Sequence, residues 1–484
     1  MQRASETGQM KMRYRLAQRS AIAAAVAIAL CASTQAGDPQ GPLLLFSNPS
    51  GMSATFHTSG RIDTSNPFFQ NLGTNGRSCD TCHQGGDGWT VTPASIRARF
   101  DATQGRDPIF RTNDGSNSPN ADVSTVDARR AAYSMLLAKG VIRVGIGIPD
   151  NAEFELADVD DPYGFASAHE LSLFRRPLPS ANIKFLSTIM WDGRETFPDA
   201  ASTDCIVGTT KCFASLHFDL ADQSNSATTG HAQSAQPLTQ AQRDAIVEFE
   251  MGLFSAQVFD RDAKALTARR ANGGPLHLVT KPFYFGINDV VSGDYRSGAP
   301  FDKVVFDLYD SWAHPRGVAD EDNSTAQARS AVARGQTLFN TKPIRITDVS
   351  GLNDDLNVPV LDGTCTTCHD TPGAGNHSIP APLNIGIADA KRATPDMPLY
   401  VLRNKATGEL VETTDPGRAL ITGKWKDIGR FKGPILRGLA ARAPYFHNGS
   451  ADDLGAAVDF YNDRFDIGLT AQEKADLVAF LRTL

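Results

Sequence analysis

Two pentapeptides, Cys79-Asp80-Thr81-Cys82-His83 and Cys365-Thr366-Thr367-Cys368-His369, constrain this chain more than any other feature. A C-x-x-C-H run is the attachment signature of c-type haem. Its two thiols form thioethers to the porphyrin while the histidine reaches the iron, so five residues fix both the cofactor and one axial ligand. A zinc site needs four ligands, and neither run has a second C-x-x-C or an H-x3-5-H nearby to complete one. A disulfide redox motif is the other alternative. Finding the run twice, in a chain of seven cysteines and ten histidines, favours haem. Two covalently bound haems call for two lobes of chain to enclose them.

The N-terminus supplies a compartment in which such attachment takes place. Lys11, Arg13, Arg15 and Arg19 form a basic region, Ala21 to Leu30 an apolar run too short to span a bilayer, and Thr34-Gln35-Ala36 a small-residue cleavage site. Residues 1–36 therefore read as a signal peptide, and the protein as periplasmic or secreted with no membrane span. Cleavage would remove five basic residues and one acid, taking the net charge from −7 to −11. That balance disfavours nucleic acid and allows a basic redox partner to dock. After Cys31 and the four haem cysteines are set aside, Cys205 and Cys212 remain, and in an oxidising compartment they read as a local disulfide.

Some 448 residues are too many for one core. The pattern predicts a mostly α protein of two cytochrome c-like haem domains, 37–325 and 326–484, with long loops and few strands. Leu238 to Phe249 aligns without gaps with Leu469 to Phe480. Both stretches open with a capping box, Thr239 with Gln242 and Thr470 with Glu473. Both then present an apolar stripe, Ile246 and Phe249 in one, Leu477, Phe480 and Leu481 in the other. Ala333-Arg334-Gly335-Gln336 resembles the opening helix of a cytochrome c domain, and the polar run Glu321 to Thr325 reads as the linker before it. Gly105 to Asn120 and Asp370 to Pro382 read as long loops. The segment 261–320 fits neither cytochrome core and is taken as an insertion.

Met190-Trp191-Asp192-Gly193-Arg194 follows the first haem run, and Ala443-Pro444-Tyr445-Phe446-His447-Asn448-Gly449 follows the second. With these boxes in this order, the chain resembles the bacterial di-haem cytochrome c peroxidase and MauG family. The resemblance covers most of the chain after the leader, apart from 261–320 and part of the N-terminal segment. It implies a peroxidatic N-terminal lobe and an electron-transfer C-terminal lobe, with Trp191 passing charge between the haems. The family's sixth ligand to the second haem maps onto Tyr461, which shares a helical face with Leu454, Ala457 and Val458. Met397 is the competing ligand. Asp192 and Arg194 are expected to form a buried charge pair holding the turn.

At the first haem the chain departs from the family pattern. Gln84 to Phe100 contains no histidine to act as a removable distal ligand. The family's glutamine and catalytic glutamate map onto Gln223 and Gln233, and an amide cannot shuttle a proton. His231, in Gly230-His231-Ala232-Gln233, is the replacement; it is read as acid/base, as iron ligand, or as a bystander. The resemblance also implies a calcium ion on the backbone carbonyls of Pro444 and Arg442, against which the Arg442 guanidinium weighs, and often a homodimer. The expected reaction reduces hydrogen peroxide to water with electrons from a small cytochrome c or cupredoxin. The alternatives are MauG-like oxidation of a protein or organic substrate, and a non-catalytic electron carrier.

Overall fold

A computed structural model describes residues 43–198, 204–205, 212–313 and 323–484; the expected leader lies outside them. Six helices of eleven residues or more stand among the described residues. They are α1 (Pro93–Thr103), α2 (Leu216–Gly230), α3 (Gln240–Met251), α4 (Asn323–Thr341), α5 (Leu454–Arg464) and α6 (Ala471–Leu481). The two helices that align in sequence, α3 and α6, start alike in space. Thr239 Oγ1 accepts from the Gln242 amide while Gln242 Oε1 accepts from the Thr239 amide, and Thr470 and Glu473 repeat the exchange. Each box satisfies two amides that a helix start otherwise leaves without partners. Ile246, Phe249, Leu477, Phe480 and Leu481 are all buried, as the stripes require.

Helix α6 crosses α4 at close range because of one residue. A Cβ on Gly335 would lie 1.9 Å from the Asp476 carbonyl oxygen, so only glycine lets the two backbones meet. Arg334 closes the crossing with two hydrogen bonds to Asp476, each 2.7 Å. Beneath it Phe306, Tyr309, Phe339 and Phe480 pack ring against ring. Fully burying one such side chain contributes about 1.5–3 kcal/mol.

Phe306 and Tyr309 belong to the segment 261–320, which the sequence left unassigned. Ala263, Leu266, Val305, Leu308 and Trp312 join them in the core that carries α4 and α6. The described residues on both sides of the polar run at 321–325 thus share one core. The segment lacks the periodicity of a helix or strand, so its apolar residues gave no sign of the face they cover.

Among the described residues the strands are short and scattered over five small sheets. One of them joins the two halves of the chain, with Phe154–Asp160 pairing antiparallel to Leu399–Asn404. The C-terminal carbonyl of Leu484 accepts from the amides of Gln257 and Gly438, adding a second tie. Backbone pairing sets Cys205 opposite Cys212, while their side chains lie outside the described residues. Among the described residues no helix is long and apolar enough to cross a membrane.

Candidate functional site

Each C-x-x-C-H run folds as a single tight turn whose two cysteines and histidine line a cavity. Ser78 and Thr81 brace the first turn, and Thr364 and Thr367 the second, by exchanging side-chain and backbone hydrogen bonds. His83 Nδ1 lies 3.1 Å from the Trp89 carbonyl oxygen, and His369 Nδ1 lies 2.7 Å from that of Gly375. A proton on Nδ1 shared with a carbonyl leaves Nε2 as the ligating atom. Burial keeps both rings neutral by lowering their pKa to about 4. Burial also pushes the thiols of Cys82, Cys365 and Cys368 up to about 11, 12 and 12, which suppresses the thiolate that redox motifs need. Among the described residues no group of three or more His, Cys, Asp or Glu side chains is placed to hold a metal ion alone. Paired neutral thiols and an oriented imidazole at an apolar cavity fit covalently attached haem.

Helix α2 turns one face to the first cavity. Leu220, Gln223, Ser224, Ala227, Thr228 and His231 recur at helical spacing, and all line it. Ser215 caps the helix by accepting from the Phe218 amide at 3.2 Å, and His231 sits just past its C-terminal end. His231 Nδ1 lies 2.6 Å from Asp114 Oδ2, and Asp114 is paired in turn with Arg77. Burial works to raise the Asp114 pKa, but His231 and Arg77 outweigh it and hold the carboxyl below its ordinary value. An ionised Asp114 therefore fixes the imidazole and leaves Nε2 for the cavity. The loop is pinned from the other side as well, because Thr74 N donates to the Ala232 carbonyl at 3.0 Å and Asn75 Nδ2 to that of His231 at 2.8 Å.

Gln223 lines the first cavity and Gln233 does not. The mapping of Gln233 assumed an unbroken interval, but α2 ends at Gly230 and the chain reverses, with Gln233 at a left-handed φ of 55° and exposed. Its carbonyl accepts from Thr74 Oγ1, so its backbone pins the loop while its side chain stays outside.

The second cavity is walled largely by hydrocarbon, including Phe339, Ile344, Ile346, Leu383 and Leu477. Leu454, Ala457, Val458 and Tyr461 of α5 all face it. Burial, then the nearby sulfurs of Cys368 and Cys365, push the Tyr461 phenol up from its ordinary value. Met397 is elsewhere, packed against Met135, Val141 and Phe174. It precedes the strand Leu399–Asn404, whose pairing with Phe154–Asp160 draws it into the other half of the chain. The methionine alternative for the second axial ligand therefore fails on position.

Trp191 stands in the wall that both cavities share. Its Nε1 donates to the Arg176 carbonyl at 2.8 Å, and its edge faces the His447 ring at 6.3 Å. Asp192 accepts from Arg194 at 2.9 Å and also from Arg175, which makes two further bonds of 2.7 and 2.9 Å to Asp415. Arg175, Asp192 and Asp415 are fully enclosed, and removing one partner from such a network costs roughly 3–5 kcal/mol. The tryptophan box is thus locked to the second half of the chain. His447 is buried and stacked on Phe431 at 4.1 Å, with no hydrogen-bond partner on either ring nitrogen among the described residues.

Sequence reasoning missed Arg77 and Asp114, which orient His231. The nearness of Arg77 to Cys79 was a usable signal; Asp114 sits in the loop 105–120 without any motif. It also missed Glu250 at the first cavity, whose carboxyl burial pushes up to about 7.

No family model matches the chain. It is 33% identical over 135 residues to the cytochrome-c peroxidase IdrP2 of Denitromonas iodatirespirans, a stretch covering 25% of this chain and 36% of that protein. It is 31% identical over 140 residues to the cytochrome-c peroxidase IdrP1 of Pseudomonas sp. (strain SCT), again covering 25% and 36%. The match thus spans about a third of these curated relatives. A solved MauG-like protein associated with microbial copper homeostasis aligns over 88% of this chain and 92% of its own at 17% identity. The TM-score of that alignment is 0.34. Over the matched stretch the chain is similar to these cytochrome-c peroxidases.

Proposed function

We propose that the chain is an exported di-haem c-type oxidoreductase that reduces hydrogen peroxide to water, H2O2 + 2 e⁻ + 2 H⁺ giving 2 H2O. One observation carries the reading. A carboxylate-held imidazole and an amide line the first cavity, whereas at the second the α5 face brings Tyr461 in beside Leu454, Ala457 and Val458. Haem attached at Cys79 and Cys82 would supply the iron at which the O–O bond breaks. His231 Nε2 accepts the proton of the bound peroxide and returns it to the departing oxygen. Asp114 stabilises the imidazolium in between, and Arg77 keeps Asp114 ionised. Gln223 donates a hydrogen bond to the peroxide oxygens. Cys365, Cys368 and His369 would hold a second haem, which would supply an entry point for electrons from a small redox protein, a cytochrome c or a cupredoxin, whose basic face suits an acidic chain. Trp191 carries them across the shared wall.

Tyr461 supports a second reading. Tyr461 would be placed to hold a second haem's iron, and a phenolate there would lower its potential and favour storing oxidising equivalents, as in MauG-like oxidation of a protein or organic substrate. The variant His231→Ala tests the acid/base role. Peroxide turnover is expected to fall 10²- to 10⁴-fold with the iron spectra unchanged. Unchanged turnover removes the role, and conversion of a low-spin haem to high-spin makes His231 an iron ligand and the protein an electron carrier.

A further inference from the structure

Three cations lie buried in the second cavity's wall with no ion-pair partner among the described residues. Arg176, Lys432 and Arg442 are at most 8% exposed, all three line the second cavity, and Arg176 also lines the first. Their side chains bond to backbone carbonyls alone. Arg176 donates to Lys139, Val91 and Arg442, Arg442 to Gly438 and Ile435, and Lys432 to Thr188. Among the described residues no carboxylate is within ion-pair reach of any of them. A buried cation without an anion is costly, and a carbonyl supplies only a partial charge. Burial, followed by the Arg442 charge, lowers the Lys432 pKa to about 7 and that of Arg176 to about 10, and at Arg176 the opposing pull of Tyr445 and Asp87 offsets only part of this.

The cluster is also built to stay. Gly88 has a φ of +65°, and a Cβ there would lie 2.7 Å from Arg442 Cγ. Gly140 has a φ of +62°, and a Cβ there would lie 2.7 Å from Arg176 Nη1. Two left-handed glycines on loops of the first half thus make room for the two guanidinium side chains. The Arg442 carbonyl, one of the two expected to hold calcium, instead accepts from Arg176 Nη2 at 3.1 Å. A guanidinium occupies the oxygen that a divalent cation would need.

We propose that Arg176, Lys432 and Arg442 form a preset cationic seat for the carboxylates at the porphyrin edges, joining the two cofactor sites without a calcium ion. The inference rests on the two-haem reading. The porphyrin carboxylates supply the missing negative charge, and the side chains supply the positive charge that a bound ion would otherwise bring. Coupling between the lobes then needs no metal beyond iron.

Metal analysis, thermal unfolding and spectroelectrochemical titration of the holoprotein, with and without EGTA, test this directly. No stoichiometric calcium is expected, and EGTA should move neither the Tm nor either haem potential. Arg442→Gln, and Lys432→Met should the first not fold, should shift at least one haem potential downward, since a lost positive charge favours the oxidised haem. Stoichiometric calcium whose removal lowers the Tm, or potentials unmoved in a folded variant with two haems bound, overturns the inference. Fewer than two haems per chain overturns the two-haem reading itself, and the inference with it.

Discussion

The two cavities start from the same pentapeptide turn and the same backbone-anchored histidine, yet the groups that join the histidine in each lining differ. The first meets the end of α2, where Arg77, Asp114 and His231 form a chain of charge ending in a free imidazole nitrogen. The second meets the side of α5, where Tyr461 stands among Leu454, Ala457 and Val458. A helix end brings a reversal of the chain and loops on which polar groups can converge; a helix side brings a continuous apolar stripe. In the proposed function the first arrangement serves proton transfer and the second electron transfer.

The largest test of that contrast removes one cofactor at a time. Replacing Cys79 and Cys82 by Ala should lower the haem count by one by mass and abolish peroxide turnover while the second haem keeps its spectrum. The same change at Cys365 and Cys368 should leave peroxide binding but abolish turnover with a protein donor. Identical losses from both variants would erase the division of labour.

Asp114→Asn probes the polar chain alone. The imidazole loses its anionic support, and turnover is expected to fall roughly 10- to 100-fold while haem content stays constant, as seen when partners that orient such groups are removed. Full activity in this variant would make Asp114 a structural residue.

The smallest expected effect lies at Glu250. Burial raises its pKa to about 7, above the ordinary 4.5, so the folded state holds a proton that the unfolded chain releases. Its stabilising share is complete below 4.5 and is lost as pH rises through 7. Glu250→Gln should flatten the stability profile between about pH 4.5 and 7 by up to about 3 kcal/mol. An unchanged profile in chemical denaturation would show that Glu250 does not titrate in this range.

Legibility followed the physics of each residue. The haem turns, the capped helices α3 and α6 and the Tyr461 face were readable because each rests on a local spacing that one helix or turn enforces. Gln233 misled because an interval was carried across a helix end, and Met397 because chemistry was weighed without knowing that its strand pairs with the other half. Asp114, Arg175, Asp415 and Lys432 were invisible because long-range packing alone gives them their partners. The segment 261–320 was opaque for the same reason, since its aromatic residues make a core only once α4 and α6 have crossed.

Low-temperature electron paramagnetic resonance of the oxidised holoprotein, before and after hydrogen peroxide, tests the central contrast most directly. The account predicts one high-spin signal and one low-spin signal in equal amounts, the high-spin one vanishing on addition of peroxide. Two low-spin signals, both indifferent to peroxide, would contradict it.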